Sequence, residues 1–112
     1  MDLSKNMENA INKQIKAESY SAYLYLAMAA YCDSVSMPGY AHWLREQCEE
    51  ELEHAMKFYH YVVERGGRVV LEAIQQPPVE FGSLLGLAEE VYAHEQKVTS
   101  LIHALYDVAV AE

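Results

Sequence analysis

Cysteine is scarce in this sequence. There are two, Cys32 and Cys48, with no CxxC spacing and no secretory leader to go with them. That argues against a disulfide-stapled secreted domain and for reduced thiols in a cytoplasmic protein. Proline is sparse too, at positions 38, 77 and 78 only, so most of the chain holds nothing that must break a helix. No apolar run approaches the roughly 20 residues of a membrane span. Positive charge is outnumbered, with 8 Lys and Arg against 17 Asp and Glu and a net charge of −9. Such a balance argues against nucleic acid and anionic membranes as partners and fits a protein that attracts cations. Phenylalanine is rare, two residues against nine Tyr. Tyrosine tolerates half-wet sites, which suits a core bordering polar chemistry or a surface packed on partners.

What the sequence does hold is helix. Its 112 residues, 52% of them apolar, suffice for one domain with a modest core. Three segments have a 3.6-residue apolar period: 3–31, 38–65 and 84–112. The first contains no Gly or Pro and ends before a Cys-Asp-Ser-Val-Ser-Met-Pro-Gly breaker. The second begins at Pro38, a good first helical residue, and stops at Gly66-Gly67. The turn between these two is short, so they are expected to lie antiparallel. Residues 66–83, GGRVVLEAIQQPPVEFGS, form the other connection. Helix two spans about 40 Å at 1.5 Å per residue, and the extended linker reaches about 55 Å. The linker can therefore carry the chain back along the bundle, so the expected class is all-α, an antiparallel helical bundle with a long crossover.

The chemistry lies in which acids face inward. On a helical wheel centred on Glu51, the residues Leu44, Cys48, Ala55, Phe58 and Val62 fall within about 60°, and so do Gln47 and His54. Glu49 and Glu53 fall on the opposite side, about 160° away, with Glu50 at the margin. Glu51 and His54, at i and i+3, project together from one face. In helix one the stripe Leu3, Met7, Ile11, Ile15, Ala22, Ala29 is interrupted by Glu18, with Tyr25 on the same line. In helix three the stripe Leu84, Ala88, Val91, Val98, Ile102, Tyr106, Ala109 is interrupted by Glu95. A carboxylate in an apolar core is costly unless paired or bound to a metal. Three of them with one imidazole, and no Lys or Arg on these stripes, call for a cation. Carboxylate with imidazole suits iron, manganese or zinc. The histidines at 42, 60, 94 and 103 are expected at the surface or rim.

These residues carry a likeness. NKQIKAESYSAYLYLAMAAY, GYAHWLREQCEEELEHAMKFYHYVVERGGRV, YAHEQKVTSLI and the crossover IQQPP resemble the first three helices of prokaryotic non-haem ferritins over essentially the whole chain. The resemblance implies an iron-storage protein with ferroxidase activity, oxidising Fe(II) with oxygen or peroxide at a di-iron centre. It implies that Glu18, Glu51 and His54 hold one iron and that Glu51 bridges to a second, which Glu95 helps to hold. It implies a neighbouring electron-donor or hydrogen-bonding role for Tyr25, and an accessory third site involving Glu50. Haem-binding bacterioferritins place a Met after the bridging Glu; here Leu52 stands there, so no haem is expected. The family has a fourth helix with further ligands, whereas this sequence ends at AVAE. The expectation is a homo-oligomer in which another copy supplies the missing wall, or a piece of a longer chain. The alternative function is a structural or assembly module that binds metal without turnover.

Overall fold

The structure, a computed structural model, describes residues 2–111. Among these, the secondary structure is three long helices: α1 over Lys5–Ser34, α2 over Pro38–Glu64 and α3 over Leu84–Ala111. The first starts two residues later than its apolar period suggests, because Ser4 caps it, its hydroxyl accepting the Met7 N–H at 3.1 Å. It also ends three residues later. Cys32 continues the buried line of Ala29 and is itself fully buried, so packing carries the helix on to the turn before Pro38. The second stops at Glu64, one residue short of the expected end. Gly66 follows with φ +75°, a left-handed conformation that favours glycine, and a Cβ there would meet Asp2 Oδ1 at 2.9 Å. For the third, the expected end at residue 112 lies outside the described residues. Its start is capped by Ser83, whose hydroxyl accepts the Gly86 N–H at 3.1 Å.

Helices α1 and α2 form the main antiparallel pair; α3 lies close to α1 and its backbone stands off from α2. One apolar cluster joins Ala29, Cys32, Ala41, Leu44, Phe81 and Leu87, at the end where α2 and α3 both begin. A second joins Ile11, Ile15 and Val62, with Phe58 and Leu105 against them, at the other end. So α3 runs parallel to α2, and the segment between them travels the length of the bundle.

That segment is tied down by helix one. Glu8 Oε1 accepts the Arg68 N–H at 2.6 Å. Asn12 Nδ2 donates to Arg68 O at 3.0 Å, and its Oδ1 accepts from Val70 N at 2.9 Å. The two side chains stand in for a neighbouring strand, satisfying backbone groups that the extended chain cannot satisfy itself. The Arg68 amide, then the Lys5 ammonium, hold the Glu8 carboxyl below the usual carboxylate range. At the far end, Tyr31 donates its hydroxyl to Gly82 O at 2.6 Å and packs edge-on against Phe81. Tyr31 thus seats the crossover within its own chain.

Helix three departs most from its wheel. It buries Leu87 and Val98 and half-buries Val91, His94 and Leu105, while Ala88, Ile102, Tyr106 and Ala109 are exposed. With only α1 to lie on, it turns the 87–91–94–98 line toward that helix. The remaining stripe looks into two apolar clefts between α2 and α3. One, of about 870 Å³, lies between Trp43 and Leu44 on one side and Leu84, Leu87 and Val91 on the other. The second, of about 440 Å³, lies between Phe58 and Tyr61 and the residues Ile102 and Tyr106. Tyr40 and Trp43, in the first turns of α2, border the larger cleft and are about half exposed.

Candidate metal centre

Glu18 lies midway along α1, and Glu51 and His54 lie on the facing side of α2. The antiparallel packing of these helices sets the three side chains opposite one another. Glu18 is 1% exposed and Glu51 6% exposed, while the His54 side chain is 48% exposed. His54 Nδ1 is 3.7 Å from Glu18 Oε2 and 3.7 Å from Glu51 Oε2. One donor atom from each residue lies within 4.8 Å of the other two.

The hydrogen bonding is lopsided. Gln14, one turn before Glu18, donates its amide N–H to Glu18 Oε1 at 3.0 Å. Glu18 Oε2 and Glu51 Oε2 are buried and have no hydrogen-bond partner. Among the described residues neither acid pairs with a Lys or Arg. Burial pushes the Glu51 carboxyl up to about 9, and the facing Glu18 carboxyl adds to the rise, because adjacent carboxylates resist ionising together. The charges of Glu95 and Glu50 contribute less. Two orphaned oxygens and an imidazole nitrogen fit a divalent cation with mixed oxygen and nitrogen preference. The exposed edge of His54 leaves a way in.

The other expected members are arranged differently. Glu95, placed in a buried stripe by its wheel, is exposed, because α3 turns its adjacent face to helix one. It accepts the Tyr25 hydroxyl proton and does not belong to the close-set trio. Tyr25 is fully buried. Burial, then its bond to Glu95, raises the phenol above the ordinary tyrosine range. Glu50 is exposed, as are Glu49 and Glu53.

Three residues about the site escaped the sequence reading. Gln14 could have been found from its i−4 spacing to Glu18. Ser21 and His94 could not. His94 was expected at the rim, yet it turns inward, half-buried, with Nε2 2.8 Å from Ser21 Oγ. Burial lowers its imidazole below the ordinary histidine range.

The fold is an all-α helical bundle, and the trio is a candidate site for a metal ion. A family profile described as a ferritin-like domain matches residues 8–112, and the chain belongs to that family. It is 40% identical over 110 residues to the bacterial non-heme ferritin of Bacteroides fragilis, covering 98% of this chain and 69% of that one. It is 40% identical over 107 residues to the bacterial non-heme ferritin of Staphylococcus epidermidis, covering 96% of this chain and 64% of the relative. Among solved structures it is similar to an engineered closed form of the Archaeoglobus fulgidus ferritin, with a TM-score of 0.96 and 51% identity over 98% of this chain and 67% of the other. An open-pore ferritin from the same archaeon gives a TM-score of 0.95 and 51% identity, over 97% and 66% of the two chains.

Proposed function

We propose that the chain is an iron-storage ferroxidase, taking up Fe(II), oxidising it to Fe(III) with oxygen or peroxide at a di-iron carboxylate centre, and sequestering the ferric product. The observation that carries this reading is the pair of buried, partnerless oxygens, Glu18 Oε2 and Glu51 Oε2, facing His54 Nδ1. Bound Fe(II) would supply one electron per ion to the oxidant. Glu18, Glu51 and His54 are the first site's donors, and Gln14 keeps Glu18 aimed. Glu51 is the bridge toward a second site, and Glu95 is that site's donor. Tyr25 is the buried phenol beside it, able to give a proton or an electron. Glu50 lies outward as an accessory donor. The acidic surface draws Fe(II) toward the opening at His54. The exposed apolar clefts favour a homo-oligomer, since monomers seldom leave such faces uncovered.

Aerobic addition of Fe(II) to the purified chain, followed by ferric absorbance, tests turnover; the reading fails if Glu51→Ala oxidises iron as fast as the parent. A second reading, metal binding without turnover, has its own support: among the described residues only one ion's donors are close-set, and Glu95 stands apart from them. Anaerobic calorimetry with Fe(II) separates the two, since two ions per chain support the di-iron centre and one supports the binding module.

A further inference from the structure

We propose that His94 is a positioning residue, docked on Ser21, that fixes the rotation of helix three on helix one and so holds Tyr25 against Glu95.

Ser21 is buried, and its Oγ meets two groups, Ala17 O at 2.9 Å and His94 Nε2 at 2.8 Å. A hydroxyl has one proton. A backbone carbonyl can only accept, so that proton goes to Ala17. His94 is then the donor, with a hydrogen on Nε2. The same ring packs edge-on against Tyr25, at 5.8 Å between centroids and 86° between planes, and against Tyr20 at 6.3 Å and 61°.

Two consecutive residues of helix three therefore grip one tyrosine, His94 by the ring and Glu95 by the hydroxyl. Among the described residues, His94–Ser21 and Glu95–Tyr25 are the side-chain hydrogen bonds between α1 and α3. The rest of that interface includes Leu87 and Val98, whose apolar contacts are non-directional and tolerate rotation. A hydrogen bond with a defined donor and acceptor does not. Glu95 is exposed, so nothing packed around it sets its place. Its neighbour does so through the backbone.

The importance of this clamp for iron chemistry rests on the function proposed above; the clamp itself is read without metal. The test is NMR of the metal-free chain carrying ring-labelled tyrosine, with Tyr25 assigned by Tyr25→Phe. The variants are Ser21→Ala, His94→Leu, their combination, and His94→Gln, whose amide N–H can still reach Ser21. Ser21→Ala and His94→Leu should each displace the Tyr25 ring signal while helix content by circular dichroism is unchanged. The double variant should add little to His94→Leu, and His94→Gln, which loses the ring but keeps the donor, should retain the parent Tyr25 Cζ shift that reports its bond to Glu95. A folded Ser21→Ala chain with an unmoved Tyr25 signal overturns the proposal, and this variant decides the matter even if His94→Leu does not fold. A fully additive double variant overturns it too. Should the parent chain fail to oxidise Fe(II), the ferroxidase reading falls, while the NMR result stands on its own.

Discussion

Gln14 donates to Glu18 Oε1 at 3.0 Å and leaves Glu18 Oε2 without a partner. The amide satisfies the oxygen that faces along the helix and spares the one that faces His54. Removing it would orphan both. Gln14→Leu should lower stability by about 1–3 kcal/mol, the cost of an unsatisfied buried acceptor. It should also weaken metal binding about 10–100-fold, the usual effect of losing a ligand's hydrogen-bonding support. Chemical denaturation and calorimetry with Zn(II) or anaerobic Fe(II) measure the two effects separately.

Glu51 makes the metal-free chain pH-sensitive in an uncommon direction. Its folded value, about 9, lies above the ordinary 4.5. Between those limits the folded state binds more protons than the unfolded one, so stability falls as pH rises. The Tm of the metal-free protein should decline from about pH 5 to about pH 9. Glu51→Gln, which cannot ionise, should flatten that slope, and a bound divalent ion should do the same by favouring the carboxylate. Metal addition near neutral pH should release protons from the Glu51 carboxyl, measurable in weakly buffered solution. An equally steep decline in Glu51→Gln would show that another group is responsible.

Tyr25 should be the tyrosine that does not titrate. Its phenol is raised above the ordinary range by burial and by its bond to Glu95. In an alkaline absorbance titration up to about pH 11, past the ordinary tyrosine value, the parent and Tyr25→Phe should yield the same phenolate amplitude. A lower amplitude in the variant would mean that Tyr25 ionises with the rest. The substitution should cost about 1 kcal/mol, since it removes one hydrogen bond and little volume.

Asn12 fastens the start of the crossover at two points, Arg68 O and Val70 N. Asn12→Leu keeps the branched heavy-atom skeleton and removes both bonds. A loss of about 1–2 kcal/mol is expected, with faster amide exchange at Val70 and unchanged exchange in the middle of α2. If Val70 keeps its protection, the crossover is held by something else.

Helices one and two were legible because their wheels carry contiguous apolar lines and both pack on a long neighbour. Glu18 and Glu51 could be read for the same reason, since each lies on a line that the α1–α2 contact buries, and His54 sits at the exposed edge of the same line. Helix three was legible as a helix but not in its rotation. Its stripe is broad, and with only α1 beneath it the contact falls on Leu87, His94 and Val98, with Ile102 and Tyr106 left facing the clefts. Glu95 sits on the boundary between those faces, so its wheel position alone could not fix its exposure. His94 was missed because an imidazole next to an acid gives no sign of its own orientation. Ser21, which receives it, lies seventy-three residues away in sequence. The anchors of the crossover were hidden for a similar reason. Glu8 and Asn12 bond to backbone groups, which leave no mark in the sequence.

Helix three lies close to helix one and its backbone stands off from helix two, while all three close-set donors belong to helices one and two. Detaching helix three breaks the Tyr25–Glu95 and Ser21–His94 links but leaves Glu18, Glu51 and His54 where they are. The α1–α2 pair and helix three are therefore expected to behave as two units, the second opening below the cost of global unfolding. An ion bound by the trio alone stabilises the first unit by RT ln(1 + [M]/Kd) and lends nothing to the second. Amide protons of helix three then exchange through a partial opening whose free energy stays constant as metal is added. Those in the middle of helices one and two gain protection with every increment of the ion.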